Sequence, residues 1–359
     1  MDALVLGGGK MGWAIAHDLV RHGAGVTVAD ADAACPARRL DDAVMFQRLD
    51  ATDTSMVAKM MRQCDVAVSA LPYDFNYMLA QAAVDAGVHF CDLGGNTDMV
   101  KRELMLHEAA RDAGVTVVPD CGLSPGVTNV LGGYLIEAVD ARRLHIRVGG
   151  LPQQPQPPLE YALVFSAHGL VNEYIGDARV LRDGCIATAE PLSGLESIEF
   201  EGFPSLEAFT TAGGTSTLPD TYAGRVETLD DKSIRYPGHR DKIRLLKDLG
   251  FFDDKARAMT EQLLQKALPI DVPDFVVARL TAAGDSTMTV EIHDFYDTET
   301  GLSAMMRTTG FPTSITAMML AADEIPGPGC LQPERCVPPE LFIERLRERD
   351  IQIAVWTAG

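Results

Sequence analysis

The strongest constraint on this chain is Gly7-Gly8-Gly9-Lys10-Met11-Gly12. It lies between an apolar run at residues 3–6 and a stretch carrying Met11, Ile15, Leu19 and Val20 at helical spacing. A strand that turns through G-x-G-x-x-G into a helix calls for a parallel neighbour, because the helix returns the chain across the sheet. Gly7 permits the tight turn, Gly9 lets the backbone approach a pyrophosphate, and Gly12 lets the helix pack close to the strand. Lys10 and Met11 open the helix, whose first N–H groups then face the phosphates.

The rhythm continues. Apolar runs at 26–29, 44–49, 65–69, 88–91 and 115–118 alternate with helix-spaced stretches at 52–63, 75–86 and 97–113. Six strands separated by crossovers predict an α/β, Rossmann-type doubly wound parallel sheet over residues 1–125. Asp30 ends the second run and suits the hydroxyls of an adenosine ribose. No arginine follows it directly, so a 2′-phosphate would be repelled, and NAD is the expected cofactor. Asp50, after the third run, is equally an adenine contact or a helix cap. Ala70, Leu71 and Pro72, after the fourth, are expected beside the nicotinamide half. Asp92-Leu93-Gly94-Gly95 points into the same crevice.

After Asp120-Cys121-Gly122 the pattern changes. Residues 127–139 read as a helix, and Leu144, Ile146 and Val148 alternate as in a strand. Asp183-Gly184 marks a hairpin between 179–182 and 185–188. A further strand pair is predicted at 285–296 and 302–307, around a polar loop at 297–301. Residues 126–309 are therefore expected to form an α+β domain with an antiparallel or mixed sheet. Helices at 312–323 and 339–349 and a strand at 351–355 are expected to complete the first domain, so that 310–359 return to it.

Charge and composition exclude several roles. The chain carries 31 basic and 51 acidic side chains, a formal net charge of −20, which argues against nucleic-acid binding and against an anionic membrane surface. No signal-peptide pattern or membrane-length apolar run is present, so a cytoplasmic location is expected. Seven cysteines without a C-x-x-C pair predict reduced thiols and no metal site. Residues 232–247 reverse the sign: six cations face one acid, Asp241, giving +5.

The chain resembles the saccharopine reductase-like superfamily, and within it the L-lysine 6-dehydrogenase group. The resemblance is carried by GGGKMG at 7–12, DCGLSPGVTN at 120–129, VGGLPQQPQPPLEYALVFSAHGLVNEY at 148–174, RVLRDG at 179–184, TAGGTSTLP at 211–219 and IRYPGH at 234–239. It implies NAD-dependent oxidation of a small amino-acid substrate, lysine at Cε, to the semialdehyde with release of ammonia and NADH. A second domain of this kind implies a homodimer. Saccharopine reductase and carboxynorspermidine dehydrogenase share the superfamily, so secondary-amine chemistry is the alternative. A dinucleotide-binding regulator without turnover is the second alternative.

Under that chemistry, Arg235 on the Tyr236-Pro237-Gly238 turn suits the substrate carboxylate, held between the two domains. Arg240, Arg244 and Lys247 are expected mostly on an outer helix face. His239 is the first candidate for the base, with Tyr236 as a hydrogen-bonding partner and Asp120 as a group that positions water. Glu173 is a candidate partner for the substrate ammonium. Gly213 and Thr215 are expected to wrap the substrate. Each of these has a structural alternative: a turn, a cap or packing.

Overall fold

A computed structural model describes residues 1–358. They divide into two compact units: Met1–Val130 with Met306–Asp350, and Leu131–Met305 with residues 351–358.

The first unit begins β1 (Asp2–Leu6), α1 (Lys10–Arg21), β2 (Gly25–Asp30), β3 (Met45–Arg48), α2 (Thr54–Met61), β4 (Val66–Ser69), α3 (Asn76–Ala86) and β5 (His89–Asp92). α4 (Thr97–Leu104), α5 (His107–Ala113) and β6 (Thr116–Val118) follow. The single helix expected at 97–113 is thus two helices, broken at Met105 and Leu106. The strands carry few polar side chains because helices cover a parallel sheet on both faces. Leu4, Leu6, Ala67, Phe90 and Val117 meet Leu79 and Ala83 of α3 in one core.

The second unit is strand-rich. After α6 (Val127–Ala138) come β7 (Arg143–Pro152), α7 (Ala167–Ile175), β8 (Ala178–Arg182), β9 (Cys185–Ala189), β10 (Glu196–Ile198) and β11 (Leu206–Thr210). Then come α8 (Leu218–Tyr222), β12 (Thr228–Arg235), α9 (His239–Asp248), α10 (Asp254–Ala267), β13 (Asp274–Ala283) and β14 (Thr287–Phe295). Closing the chain are α11 (Ala304–Ala321), β15 (Gly329–Cys330), α12 (Pro333–Cys336), α13 (Pro339–Arg347) and β16 (Gln352–Ala358).

The first sheet runs β15-β6-β5-β4-β1-β2-β3, and every pair is parallel. This is the doubly wound order, with its reversal between β1 and β4. The second sheet runs β10-β11-β12-β7-β13-β14-β16, with β8 and β9 attached at β12. Its β12–β7 pair is parallel and the others are antiparallel, so it is mixed. Tyr174, Phe209, Ile234, Phe252 and Phe275 lie in its core.

Two expectations fail for identifiable reasons. Residues 302–307 are not a strand; β14 pairs instead with β13 and β16. The Asp274 carboxylate accepts the N–H groups of Ala304 at 2.7 Å and Met305 at 3.0 Å. That satisfies donors at a helix start, so α11 begins there and runs through Pro312. The last strand does not return to the first sheet. β16 pairs with β14 over Gln352 to Ala358, where an open edge would otherwise be exposed. Among the described residues, no helix is long and apolar enough to cross a membrane.

Candidate functional site

In the first unit the chemistry gathers at the C-terminal ends of the parallel strands. Gly7 has φ +99°, and a Cβ there would lie 2.9 Å from the Ala70 carbonyl oxygen and 3.0 Å from Leu71 Cδ2. A Cβ on Gly12 would lie 1.8 Å from the Gly7 oxygen. These two glycines let the turn press against the end of β4. Nothing lies within 4 Å of the Cβ position on Gly9, and no side chain caps α1. The result is a backbone cradle open at a helix N-terminus, which fits a pyrophosphate. Lys10 and Met11 stand half-buried at its mouth.

Asp30 completes this loop. Its Oδ2 accepts the Gly8 N–H at 2.6 Å and its Oδ1 accepts the Asp32 N–H at 2.7 Å. The end of β2 therefore carries a carboxylate braced against the glycine turn, with Asp32 beside it. Asp50 is exposed, and its Oδ1 accepts the N–H of Thr52 at 2.9 Å and the hydroxyl at 2.7 Å. These bonds pull its carboxyl below the ordinary range. The α2 cap is Asp53, which accepts from Met56 N, so Asp50 shapes a turn and caps nothing. Pro72 leads a single 3-10 turn, Tyr73–Phe75.

Asp120 is fully buried just beyond β6 with φ +59°. A Cβ on Gly94 would come within 1.8 Å of its Oδ1. Cys121 is also buried, and its thiol donates to the Val118 carbonyl at 3.3 Å. Burial pushes that thiol strongly up, so it stays protonated.

The second unit brings together Arg235, Glu173, Tyr236 and His239, and gives each an internal hydrogen-bond partner. Arg235 donates to Glu173 Oε2 at 2.7 Å and to the Ile234 carbonyl at 2.9 Å. Its guanidinium lies 4.8 Å over the Tyr161 ring. Tyr236 donates its phenol proton to the Pro152 carbonyl at 2.8 Å.

His239 is enclosed at the start of α9. Its Nδ1 pairs with the Leu159 carbonyl at 2.8 Å and its Nε2 with the Tyr174 hydroxyl at 2.9 Å. A carbonyl only accepts, so Nδ1 carries the hydrogen and Nε2 receives the tyrosine proton. Burial first, then the Arg235 charge, bring its pKa down to about 3. This corrects the expectation of a base at His239: its lone pair is occupied and the ring is neutral. Tyr236, expected as a hydrogen-bonding partner, gives its proton to a backbone carbonyl.

The basic segment is corrected too. Lys232 meets Glu196 at 2.6 Å, and Lys242 pairs with Glu160. Arg240 lies 3.0 Å from Asp241, Arg244 donates to the Leu192 carbonyl at 2.9 Å, and Lys247 donates to the Tyr174 carbonyl at 3.2 Å. Glu196, Glu173 and Glu160, brought from elsewhere in the unit, offset part of the +5 of the sequence. Thr215 donates to the Arg179 carbonyl at 2.9 Å, and Gly213 turns at φ +102°; both build the loop that carries Gly214.

Asp231 is among the buried acids that escaped the sequence reading. Asp231 is enclosed, and burial raises its pKa to about 7. A Cβ on Gly214 would fall 2.2 Å from its Oδ2. Strand parity was the available signal, since Leu229, Asp231, Ser233 and Arg235 share the buried side of β12.

A model of the saccharopine dehydrogenase NADP binding domain matches residues 3–118, and one of the saccharopine dehydrogenase C-terminal domain matches 122–351. The saccharopine dehydrogenase [NADP(+), L-glutamate-forming] of Pyricularia oryzae is 26% identical over 238 residues, covering 62% of this chain and 50% of that protein. The alpha-aminoadipic semialdehyde synthase of Arabidopsis thaliana is 25% identical over 222 residues, covering 58% and 21%. This chain thus aligns with half or less of the length of these relatives. The apo saccharopine dehydrogenase (L-Glu forming) of Saccharomyces cerevisiae superposes with a TM-score of 0.82 at 19% identity, covering 100% of both chains. That likeness establishes a shared fold.

Proposed function

Because the chain belongs to the saccharopine dehydrogenase family, we propose that it is an NAD-dependent oxidoreductase acting on the C–N bond of an amino acid, with a saccharopine-type secondary amine as substrate. The observation that carries this reading is the open glycine cradle at α1 with Asp30 braced beside it. The named activity of the 26% identical relative supports the substrate class.

When bound, the dinucleotide supplies the hydride acceptor for the carbon that bears nitrogen. The chain's own part is binding and alignment. The cradle takes the pyrophosphate, and Asp30 takes the ribose hydroxyls. Asp30 and Asp32 together oppose a 2′-phosphate, which favours NAD although the matched domain model is described as NADP-binding. Asp120 is the acid-base candidate retained on the dinucleotide unit. Water then opens the substrate imine to an aldehyde and a free amine.

Oxidative deamination of lysine is the second reading, and a specific observation favours it. Saccharopine carries three carboxylates, whereas all six cations of residues 232–247 have partners within their own unit.

The test is reduction of NAD and of NADP with saccharopine, lysine and ornithine, with glutamate and ammonia assayed together. Glutamate release with saccharopine supports the proposal. Ammonia release with lysine alone moves the assignment to the second reading. A chain that binds neither dinucleotide overturns both.

A further inference from the structure

A 3-10 segment, Pro36–Ala43, follows β2 and lies against the glycine turn. The Ala37 N–H donates to the Gly8 carbonyl at 2.9 Å, and a Cβ on Gly8 would fall 2.4 Å from Cys35 Sγ. Segment and cradle are therefore joined by a backbone bond and by a contact that needs glycine. Arg38 and Arg39 leave this segment in different directions. The Arg38 guanidinium stands 5.0 Å from the centre of the Phe46 ring, on β3. That of Arg39 stands 4.7 Å over the ring of Trp13, the fourth residue of α1. Among the described residues neither guanidinium has an ion pair or hydrogen bond, although Asp41 and Asp42 follow in the same segment. Arg235 and Arg279 also stand over rings, yet each donates to a carboxylate.

A cation over an aromatic face is held by the ring quadrupole, which leaves its N–H edge free to bond. Trp13 is 7% exposed, so its ring is a fixed platform. Side chains on a helix lean towards its N-terminus, over the turn before their own Cα. Trp13 thus leans towards Gly9, where the Cβ position is open and no side chain caps α1. Arg39 is also only two residues past the Ala37–Gly8 bond, about 4 Å of 3-10 rise. Both relations carry Arg39 to the mouth of the cradle. Arg38 is carried away from it, to β3 beyond β2.

We propose that Arg39, seated on Trp13, is a cation that meets the pyrophosphate of the dinucleotide at the mouth of the glycine cradle. This rests on the dinucleotide-binding function proposed above. Each phosphate of that linkage is anionic, and a guanidinium fork suits neighbouring phosphate oxygens. Arg39 brings positive charge to a turn bordered by Asp30 and Asp32, whose carboxylates would otherwise repel them. The ring already holds the guanidinium, so little side-chain freedom is lost on binding. Trp13 is the positioning residue, acting through Arg39.

The test is calorimetric titration of the full chain with NAD and with NADP, at low and high salt. Arg39→Gln is expected to weaken both dinucleotides about tenfold, as for loss of a charge-assisted hydrogen bond. It should also flatten the fall of NAD affinity with salt, because one screened charge pair is gone. Arg38→Gln removes the same charge from the same segment and should leave NAD affinity within about twofold. Trp13→Leu keeps the charge without its platform, so NAD weakens about threefold while the salt dependence remains. No loss in Arg39→Gln overturns the proposal, as do equal losses in the two arginine variants, which would mark a general field. A loss confined to NADP places Arg39 at the 2′-phosphate and overturns its assignment to the pyrophosphate. If Trp13→Leu does not fold, the two arginine variants decide, since both side chains are exposed. An unaltered chain that binds neither dinucleotide overturns the dinucleotide reading itself, and this inference with it.

Discussion

Arg235 donates to Glu173 Oε2 at 2.7 Å, tying the end of β12 to α7. The Arg235 side chain is 3% exposed and that of Glu173 24%. A pair so enclosed is valuable mainly because losing either partner strands the other. Glu173→Gln is expected to destabilise the chain by about 2 kcal/mol, less than for a fully buried pair because Glu173 keeps contact with solvent. Adding Arg235→Met should recover at least half of that loss in urea unfolding. An unchanged midpoint in the single variant would show that the pair contributes nothing to stability.

His239 predicts an acid limb in stability. Its native pKa is lowered to about 3 from 6.5, so below pH 6.5 the unfolded chain binds a proton that the folded chain refuses. Stability therefore falls as pH drops from 6.5 towards 3, by at most about 1.4 kcal/mol per pH unit from this residue. His239→Gln should flatten that slope in unfolding midpoints measured from pH 7 to pH 4. It should also leave the pH–rate profile without a missing histidine limb. Loss of such a limb would return His239 to the role of base.

Asp30 should govern cofactor choice. Asp30→Ala removes the ribose acceptor and releases the Gly8 N–H from its partner. NAD affinity should fall about tenfold, as for loss of charge-assisted hydrogen bonds. NADP should lose less, because the repulsion goes with the carboxylate. Fluorescence titration with both dinucleotides measures this. Equal losses would separate Asp30 from discrimination at the 2′ position.

Glu103→Gln predicts a stability gain that grows with pH. The folded state raises the Glu103 pKa above its ordinary 4.5, so the native chain holds a proton that the unfolded chain gives up. That contribution is complete below pH 4.5 and is lost as pH rises. Glutamine has no proton to lose. The difference in melting temperature between variant and unaltered chain should widen from pH 5 to pH 9. A constant difference would contradict a proton held on Glu103.

The first sheet was legible because its signals are local. Buried parallel strands appear as short apolar runs, and Gly7, Gly12 and Asp30 follow a spacing set by backbone geometry. The second sheet was less legible because long-range partners decide it. Leu302 to Arg307 alternates well enough for a strand, yet Asp274, some thirty positions upstream, starts a helix at Ala304. The basic segment shows the same limit. Counting charges along the chain gave Arg235 a substrate, whereas folding gives it Glu173. Glu103 was overlooked for a related reason: one glutamate in a short helix looks like solvated surface until the fold buries it.

The pairing of β16 with β14 makes the two cores interleave along the chain. As the polypeptide leaves the ribosome, β1 to β6 emerge long before β15, α11 and α13 can cover them. β14 likewise waits for the last strand to be made. Domains that occupy one continuous stretch can finish folding in order of synthesis. Here both units are completed by the same closing stretch, residues 306–358. A stop codon between residues 306 and 328 would remove both β15 and β16 and leave two unfinished cores, each with an exposed sheet edge.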